Sequence, residues 1–176
     1  VTFEQTPLYG AYLINAPRHE DERGYFTRTH CEREFADHGL HTHWVQGNAS
    51  YNKRAHTLRG MHWQAEPHGE VKLVRCVVGA VYDVIIDLRP GSPTYRQHYG
   101  VELTPENGVQ LYIPAGFAHG FLTLQDHSTV LYQMGAFFEP SAARGLRYND
   151  PAFNIPWPAE VAIISDRDRD YPDYQD

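Results

Sequence analysis

Short runs of β-branched and aromatic residues, punctuated by glycine and proline, recur along this chain, and few stretches carry a helical period. Tyr12–Ile14 predicts one short strand in an extended N-terminal segment, and Asp21-Glu-Arg-Gly24-Tyr-Phe26 reads as a turn among charges and aromatics. The best helix is Thr29 to His38: Thr29 is placed to cap it, Glu32 follows three residues later, and Gly39 stops it. Being short, it is expected on the outside of something larger. Strands are predicted at Val71–Val78 and Val81–Leu88, joined as a hairpin through Gly79-Ala80, then at Tyr95–Leu103, Val109–Ile113, Phe121–Leu124 and Thr129–Phe138. Such short strands at spacings of roughly 8–12 residues predict an all-β sandwich or barrel. Beyond Pro140 the chain loosens, and residues 152–176 are expected to be irregular. No repeat or low-complexity segment divides the chain, so 1–176 reads as a single domain.

Alternation along the strands then places side chains. Lys72 shares a face with Val74, Cys76 and Val78; His62 and Gln64 share a face in the strand before it; Tyr132 shares one with Val130 and Met134. Lys72 and Tyr132 thus sit on apolar faces, where a polar group needs a partner or a purpose. For Tyr132 alone, a core tyrosine with a satisfied hydroxyl is an equally good reading.

Composition narrows the function classes. A chain of 176 residues with 41% hydrophobic residues can bury a sizeable core. Its net charge of −7 argues against broad nucleic-acid binding, while leaving room for an arginine cluster that holds a small phosphorylated ligand. Two cysteines, Cys31 and Cys76, make neither a disulfide framework nor a thiolate metal site. No apolar run is long enough to span a membrane and no signal peptide is evident, so a reducing, cytoplasmic setting is expected.

Two stretches carry the chemistry. Gly108, Pro114, Gly116 and His119 resemble the second motif of the cupin superfamily, a double-sheet jelly roll. The first cupin motif ordinarily supplies His-x-His and a glutamate seven positions before a glycine; here His62, Gln64, Lys72 and Gly79 stand at those positions. A lysine ammonium has no lone pair to give and repels a divalent cation, and His62 with His119 alone makes no usable metal site. No metal and no cofactor are therefore expected. A histidine base, a lysine cation and a tyrosine acid in one barrel suit proton abstraction beside a carbonyl, with the cation holding the enolate.

With those residues placed, the chain resembles the dTDP-4-dehydrorhamnose 3,5-epimerase family along nearly its whole length. The markers are Asp21–Gly24, Leu58-Arg-Gly-Met-His62, Lys72-Leu-Val-Arg75, Asp87-Leu-Arg-Pro-Gly-Ser-Pro-Thr94, Pro114–Phe121, Asn149-Asp-Pro151 and Ser165–Asp168. The resemblance implies a homodimeric, cofactor-independent epimerase that inverts C3, C5 or both in a nucleotide-linked 4-keto-6-deoxyhexose. It makes His62 the base, Asp168 the acid that hydrogen-bonds this histidine, Tyr132 the general acid on the opposite face and Lys72 the holder of the enolate oxygen. Asp83 is a second possible partner for a pocket histidine. Arg23, Arg59 and His119 match positions that grip the diphosphate or the sugar, with Gln46 and Asn48 nearby. N-terminal strands reach across the family's dimer, so Arg23, Phe26 and Arg28 are expected to serve the neighbouring subunit. Two positions depart from the family's habit. Arg28 stands where a glutamate commonly reads the thymine N3–H, which raises CDP as an alternative nucleotide unless Arg28 turns outward or meets a phosphate. Phe137-Phe138 stands where tyrosines are frequent, so Phe138 keeps base stacking without a hydroxyl. A metal-dependent cupin and a non-catalytic sugar-nucleotide-binding cupin are the competing readings.

Overall fold

Two sheets lie face to face in the computed structural model, which describes residues 1–176. In chain order the strands are β1 (Thr2–Gln5), β2 (Tyr12–Asn15), β3 (Arg18–Asp21), β4 (Gly24–Thr27), β5 (Gln46–Asn52), β6 (Thr57–Gln64) and β7 (Lys72–Val78). They continue with β8 (Val81–Asp87), β9 (His98–Leu103), β10 (Val109–Ile113), β11 (Phe117–Thr123), β12 (Ser128–Met134), β13 (Ala143–Gly145) and β14 (Ile163–Ile164). The first sheet has the order β1-β2-β10-β7-β12-β5; the second runs β13-β6-β11-β8-β9, with β14 also beside β6. Neither closes on itself, and together they form an all-β sandwich, the double-sheet jelly roll that the cupin resemblance implied.

Alternation builds three apolar layers. Between the sheets, Val74, Leu111, Ile113 and Val130 from the first meet Val81, Ile85, Leu103, Phe117 and Phe121 from the second. The outer face of the second sheet buries Met61, Val84, Ile86 and Ala118 under Leu146 and Phe153 of the C-terminal segment. The outer face of the first sheet buries Leu73 and Tyr112 under Phe35, which comes from helix α1 (Glu32–Asp37). That helix is peripheral, as its length implied, and Gly39 at φ 69° ends it. Its start is later than Thr29, however: Cys31 is the N-cap and makes no side-chain cap. Thr29 is instead tied to the sheet, its carbonyl accepting from Gln110 Nε2 at 2.8 Å.

The Gly79-Ala80 hairpin does not form. β7 pairs with β10 and β12 and β8 with β11 and β9, so these two residues carry the chain from one sheet to the other. Ala80 spends its N–H on Ser128 Oγ and its carbonyl on the Leu124 N–H, leaving nothing for a two-strand turn. Gly79 has φ 78°, and a Cβ there would lie 2.9 Å from Ser128 Cα, so the crossing is open only to glycine. Elsewhere the strand predictions hold with shifted ends. β11 begins earlier than Phe121, because the buried Phe117–Gly120 stretch pairs with β8 despite its glycine. Tyr95–Gln97 form a turn before β9, since Arg96 at φ 67° turns its N–H to the Asp87 carbonyl.

The Asp87–Thr94 motif is structural. Asp87 is fully buried at the end of β8 and accepts from Arg89 Nε at 2.9 Å, Ser92 Oγ at 2.5 Å and Thr94 Oγ1 at 2.7 Å. Burial pushes its pKa up, but the bonds from Arg89, Ser92 and Thr94 outweigh that and bring it down to about 2. A depressed carboxylate contributes stability above its unfolded pKa, near 3.9, and loses it as pH falls toward the folded value. Asp87→Asn is therefore expected to cost about 3 kcal/mol in urea unfolding at pH 7. The gap to wild type should shrink between pH 4 and pH 2; a gap independent of pH would refute the ionic account.

Candidate active site

The site begins with a fault in strand pairing. Along β11 against β6, His119 faces His62 and Phe121 faces Arg59, so two residue steps on one strand answer three on the other. This bulge turns Arg59 and His62 to the same interior face, which regular alternation forbids for residues three apart. Glycines permit it. Gly60 has φ 123°, and a Cβ there would sit 2.6 Å from Gly120 Cα.

A bulge frees backbone groups, and the C-terminal segment takes them up. β13 covers the end of β6 and β14 covers its start. Between the two, Met61 exchanges both backbone hydrogen bonds with Leu146. The Gly60 N–H donates to Asp168 Oδ2 at 3.0 Å, while Asp168 Oδ1 lies 2.7 Å from His62 Nε2. Asp168 is buried within α2 (Asp166–Arg169), where Ser165 caps the start and accepts from the Asp168 N–H. Residues 152–176, expected to be irregular, are largely so, yet they hold β14 and this turn of helix. Burial raises the Asp168 pKa, but the His62 bond, the Gly60 N–H and nearby Arg167 pull it below the ordinary carboxylate value. The carboxylate stays ionised at neutral pH. With Nε2 held, the Nδ1 of His62 is left without a hydrogen-bond partner in the chain, and the Tyr171 ring packs edge-on at 6.2 Å.

The first sheet supplies the opposite wall. Lys72 heads β7, buried, with its Nζ 2.8 Å from Glu70 Oε1. Tyr132 on β12 stands across from Asn48 on β5 and packs against the inner core. Burial and the negative charge of Glu70 raise the Tyr132 pKa, and the Asn48 bond with the Arg59 charge offsets part of this. The phenol therefore remains protonated at neutral pH. Arg59 reaches between the sheets, donating through Nε to Asn52 Oδ1 at 2.7 Å. His119 forms a second histidine–carboxylate pair, its Nε2 2.9 Å from buried Asp83, as Asp83's position in β8 allowed. Gln46 lies at the rim, its Oε1 accepting from the Phe138 N–H at 3.1 Å, so Phe138 stands there with its ring exposed.

Three predicted residues do not join this cluster in their own chain. Arg23 has an 86% exposed side chain bound only to Asp21. Phe26 is 68% exposed on the β3–β4 hairpin, and Arg28 turns to Glu34 of α1, at 3.5 Å. Gln64 is buried but structural: its amide donates to the carbonyls of His68 and Phe137, and its oxygen accepts from Glu139. Of the residues that do converge, Glu70 escaped sequence reasoning because it precedes the strand in a loop where alternation says nothing. A cavity of about 360 Å³ lies on the outer face of the first sheet, lined by Leu73, Arg75, Leu131 and Gln133 and backed by Asn48 and Tyr132. No group of three or more His, Cys, Asp or Glu side chains stands close enough to hold a metal ion.

His62, held by Asp168 of α2, is on one sheet and Lys72 and Tyr132 are on the other, and the fold with its relatives makes the chain a cupin-fold isomerase. The family described as dTDP-4-dehydrorhamnose 3,5-epimerase matches residues 5–176. The protein of that name from Sinorhizobium fredii is 40% identical over 171 residues, covering 97% of this chain and 88% of the relative. The crystal structure of dTDP-4-dehydrorhamnose 3,5-epimerase from Bacillus anthracis, with TDP and PPi bound, superposes with a TM-score of 0.95 at 38% identity, covering 98% of this chain and 99% of that one. A Legionella pneumophila epimerase in complex with dTDP-4-keto-L-rhamnose gives 0.89 at 33% identity, covering 95% and 89%. The chain belongs to the dTDP-4-dehydrorhamnose 3,5-epimerase family.

The bulge itself can be tested. Gly60→Ala must push β6 from β11 and is expected to cost about 2–4 kcal/mol in chemical denaturation. Gly47→Ala is the control, because a Cβ there meets nothing within 4 Å. Equal, small losses in both variants would show that the close approach at Gly60 is unimportant.

Proposed function

We propose that this enzyme inverts C3, C5 or both in a dTDP-linked 4-keto-6-deoxyhexose, using His62 and Tyr132 as base and acid on opposite sides of the sugar. The observation that carries this reading is their placement on facing sheets, with Lys72 beside Tyr132 on the wall opposite His62. His62 Nδ1 takes the proton next to the keto group, and the electron pair moves onto the C4 oxygen. Lys72 donates a hydrogen bond to that enolate oxygen, in a buried setting where such a bond is worth more than in water. Tyr132 then returns a proton to the same carbon from the other face. It regains its own from solvent as His62 releases the one it took. Asp168 holds the ring in one tautomer and steadies the imidazolium, the orienting role a buried carboxylate plays beside a histidine. Arg59 and His119 are suited to the diphosphate and the sugar oxygens.

For the nucleotide, dTDP is favoured by the TDP and dTDP-sugar ligands of the structurally similar epimerases. The case for CDP rested on Arg28 reading the base, and in this chain Arg28 is engaged with Glu34. Arg23, Phe26 and Arg28 nonetheless have a use in a homodimer. β1 and β2 join the chain's own first sheet, but the β3–β4 hairpin pairs only with itself and exposes Tyr25 and Phe26. We place this hairpin over the partner's pocket, and light scattering should accordingly report twice the chain mass. A single-chain mass at working concentration would end the shared-site idea. A cytoplasmic location accords with this substrate; no helix is long and apolar enough to cross a membrane.

NMR of solvent deuterium wash-in at C3 and C5 of dTDP- and CDP-linked 4-keto-6-deoxyglucose tests the reaction. Wild type should exchange the dTDP sugar faster, and His62→Ala should abolish exchange. Tyr132→Phe should still exchange at the position His62 reaches, while net inversion falls by about 10²–10⁴. Absence of exchange on both substrates would leave only the binding-protein reading, and native exchange in His62→Ala would displace the base.

A further inference from the structure

Glu70 is the one acidic group in direct contact with the lysine of the site, and neither the reaction above nor the fold requires it. It lies in the loop between β6 and β7, and its side chain is 8% exposed, like that of Lys72. One carboxylate oxygen meets Lys72 Nζ at 2.8 Å; the other, Oε2, is buried with no hydrogen-bond partner. A buried carboxylate with one oxygen idle carries a desolvation cost that its single ion pair only partly offsets, so its presence asks for a use. Resting on the roles given to Lys72 and Tyr132 above, we propose that Glu70 is a positioning residue of the site: it anchors the Lys72 ammonium and balances its charge beside Tyr132.

The geometry explains the need. Lys72 and Tyr132 share the inner face of neighbouring strands, with Met134 across from Lys72 and Tyr132 across from Val74. A lone ammonium there, added to Arg59 from β6, would favour the phenolate, and a phenolate has no proton to return. The groups facing Tyr132 are Glu70 from the loop, Arg59 from β6 and neutral Asn48 from β5; burial raises its pKa most, and Glu70 is the only one of the three whose charge adds to that. Pairing with Glu70 cancels the Lys72 charge in the resting pocket. The pair leaves two of the three ammonium N–H groups for a developing enolate.

The test uses the full chain labelled with [¹³Cζ]tyrosine, the Tyr132 resonance being identified by its loss in Tyr132→Phe. Glu70→Gln keeps an oxygen for Lys72 and removes the charge; Glu70→Asp keeps the charge and shortens the reach. In Glu70→Gln the Tyr132 resonance should titrate at lower pH than in wild type, whereas in Glu70→Asp it should follow wild type. On the alkaline side, net inversion by Glu70→Gln should fall about threefold or more relative to Glu70→Asp, each normalised to its own rate at neutral pH. Coincident titrations in wild type and Glu70→Gln, or a Glu70→Asp curve that moves with Glu70→Gln, would overturn the proposal. The titration needs no substrate. A shift in it without deuterium exchange in any protein would support the place of Glu70 while sinking the epimerase reading.

Discussion

The Asp168 carboxylate is the contact on which the rest of the pocket depends. One oxygen fixes the His62 ring and the other accepts the Gly60 N–H that the bulge leaves without a strand partner. Without that acceptor the bulge would bury an unsatisfied donor, at a cost of about 1–3 kcal/mol. Without the bulge, Arg59 and His62 could not face the same cavity. A single buried anion thus solves a folding problem and a chemical one together, and its charge is held by the groups it serves.

The jelly roll turns this local device into a reaction chamber by dividing labour between its sheets. The second sheet carries His62, His119 and Asp83 on β6, β11 and β8, and Asp168 reaches His62 from α2. The first sheet carries Lys72, Tyr132 and Asn48 on β7, β12 and β5. Rigid neighbours set each of them: Lys72 is held by Glu70, Tyr132 by the apolar core around Val74 and Val130. The imidazole of His62 and the phenol of Tyr132 thus stand on different sheets, the arrangement on which the proposed inversion rests.

Much of this was legible in the sequence, for reasons that can be named. Lys72 and Tyr132 were readable because period-two alternation applies within a strand, and each stood on an otherwise apolar face. Asp168 was readable only through family resemblance. It sits in an acidic, arginine-rich turn that composition would assign to solvent, and a contact spanning over a hundred residues leaves no local trace. The Gly79-Ala80 hairpin misled because a glycine turn between two apolar strands looks alike whether the chain stays in one sheet or crosses to the next. Ser128, which decides the matter, is nearly fifty residues away. Glu70 lay in a loop, outside any periodic argument.

The C-terminal position of Asp168 has a bearing on how the pocket comes into being. The bonds from Asp168 to His62 and Gly60 close loops of 106 and 108 residues, so they assemble late and carry a large entropic penalty of closure. During synthesis the sheets can form and bury their shared core while Asp168 is still inside the ribosome. A chain cut short of Asp168 would keep most strands of both sheets and leave the Gly60 N–H and the His62 ring without their acceptor.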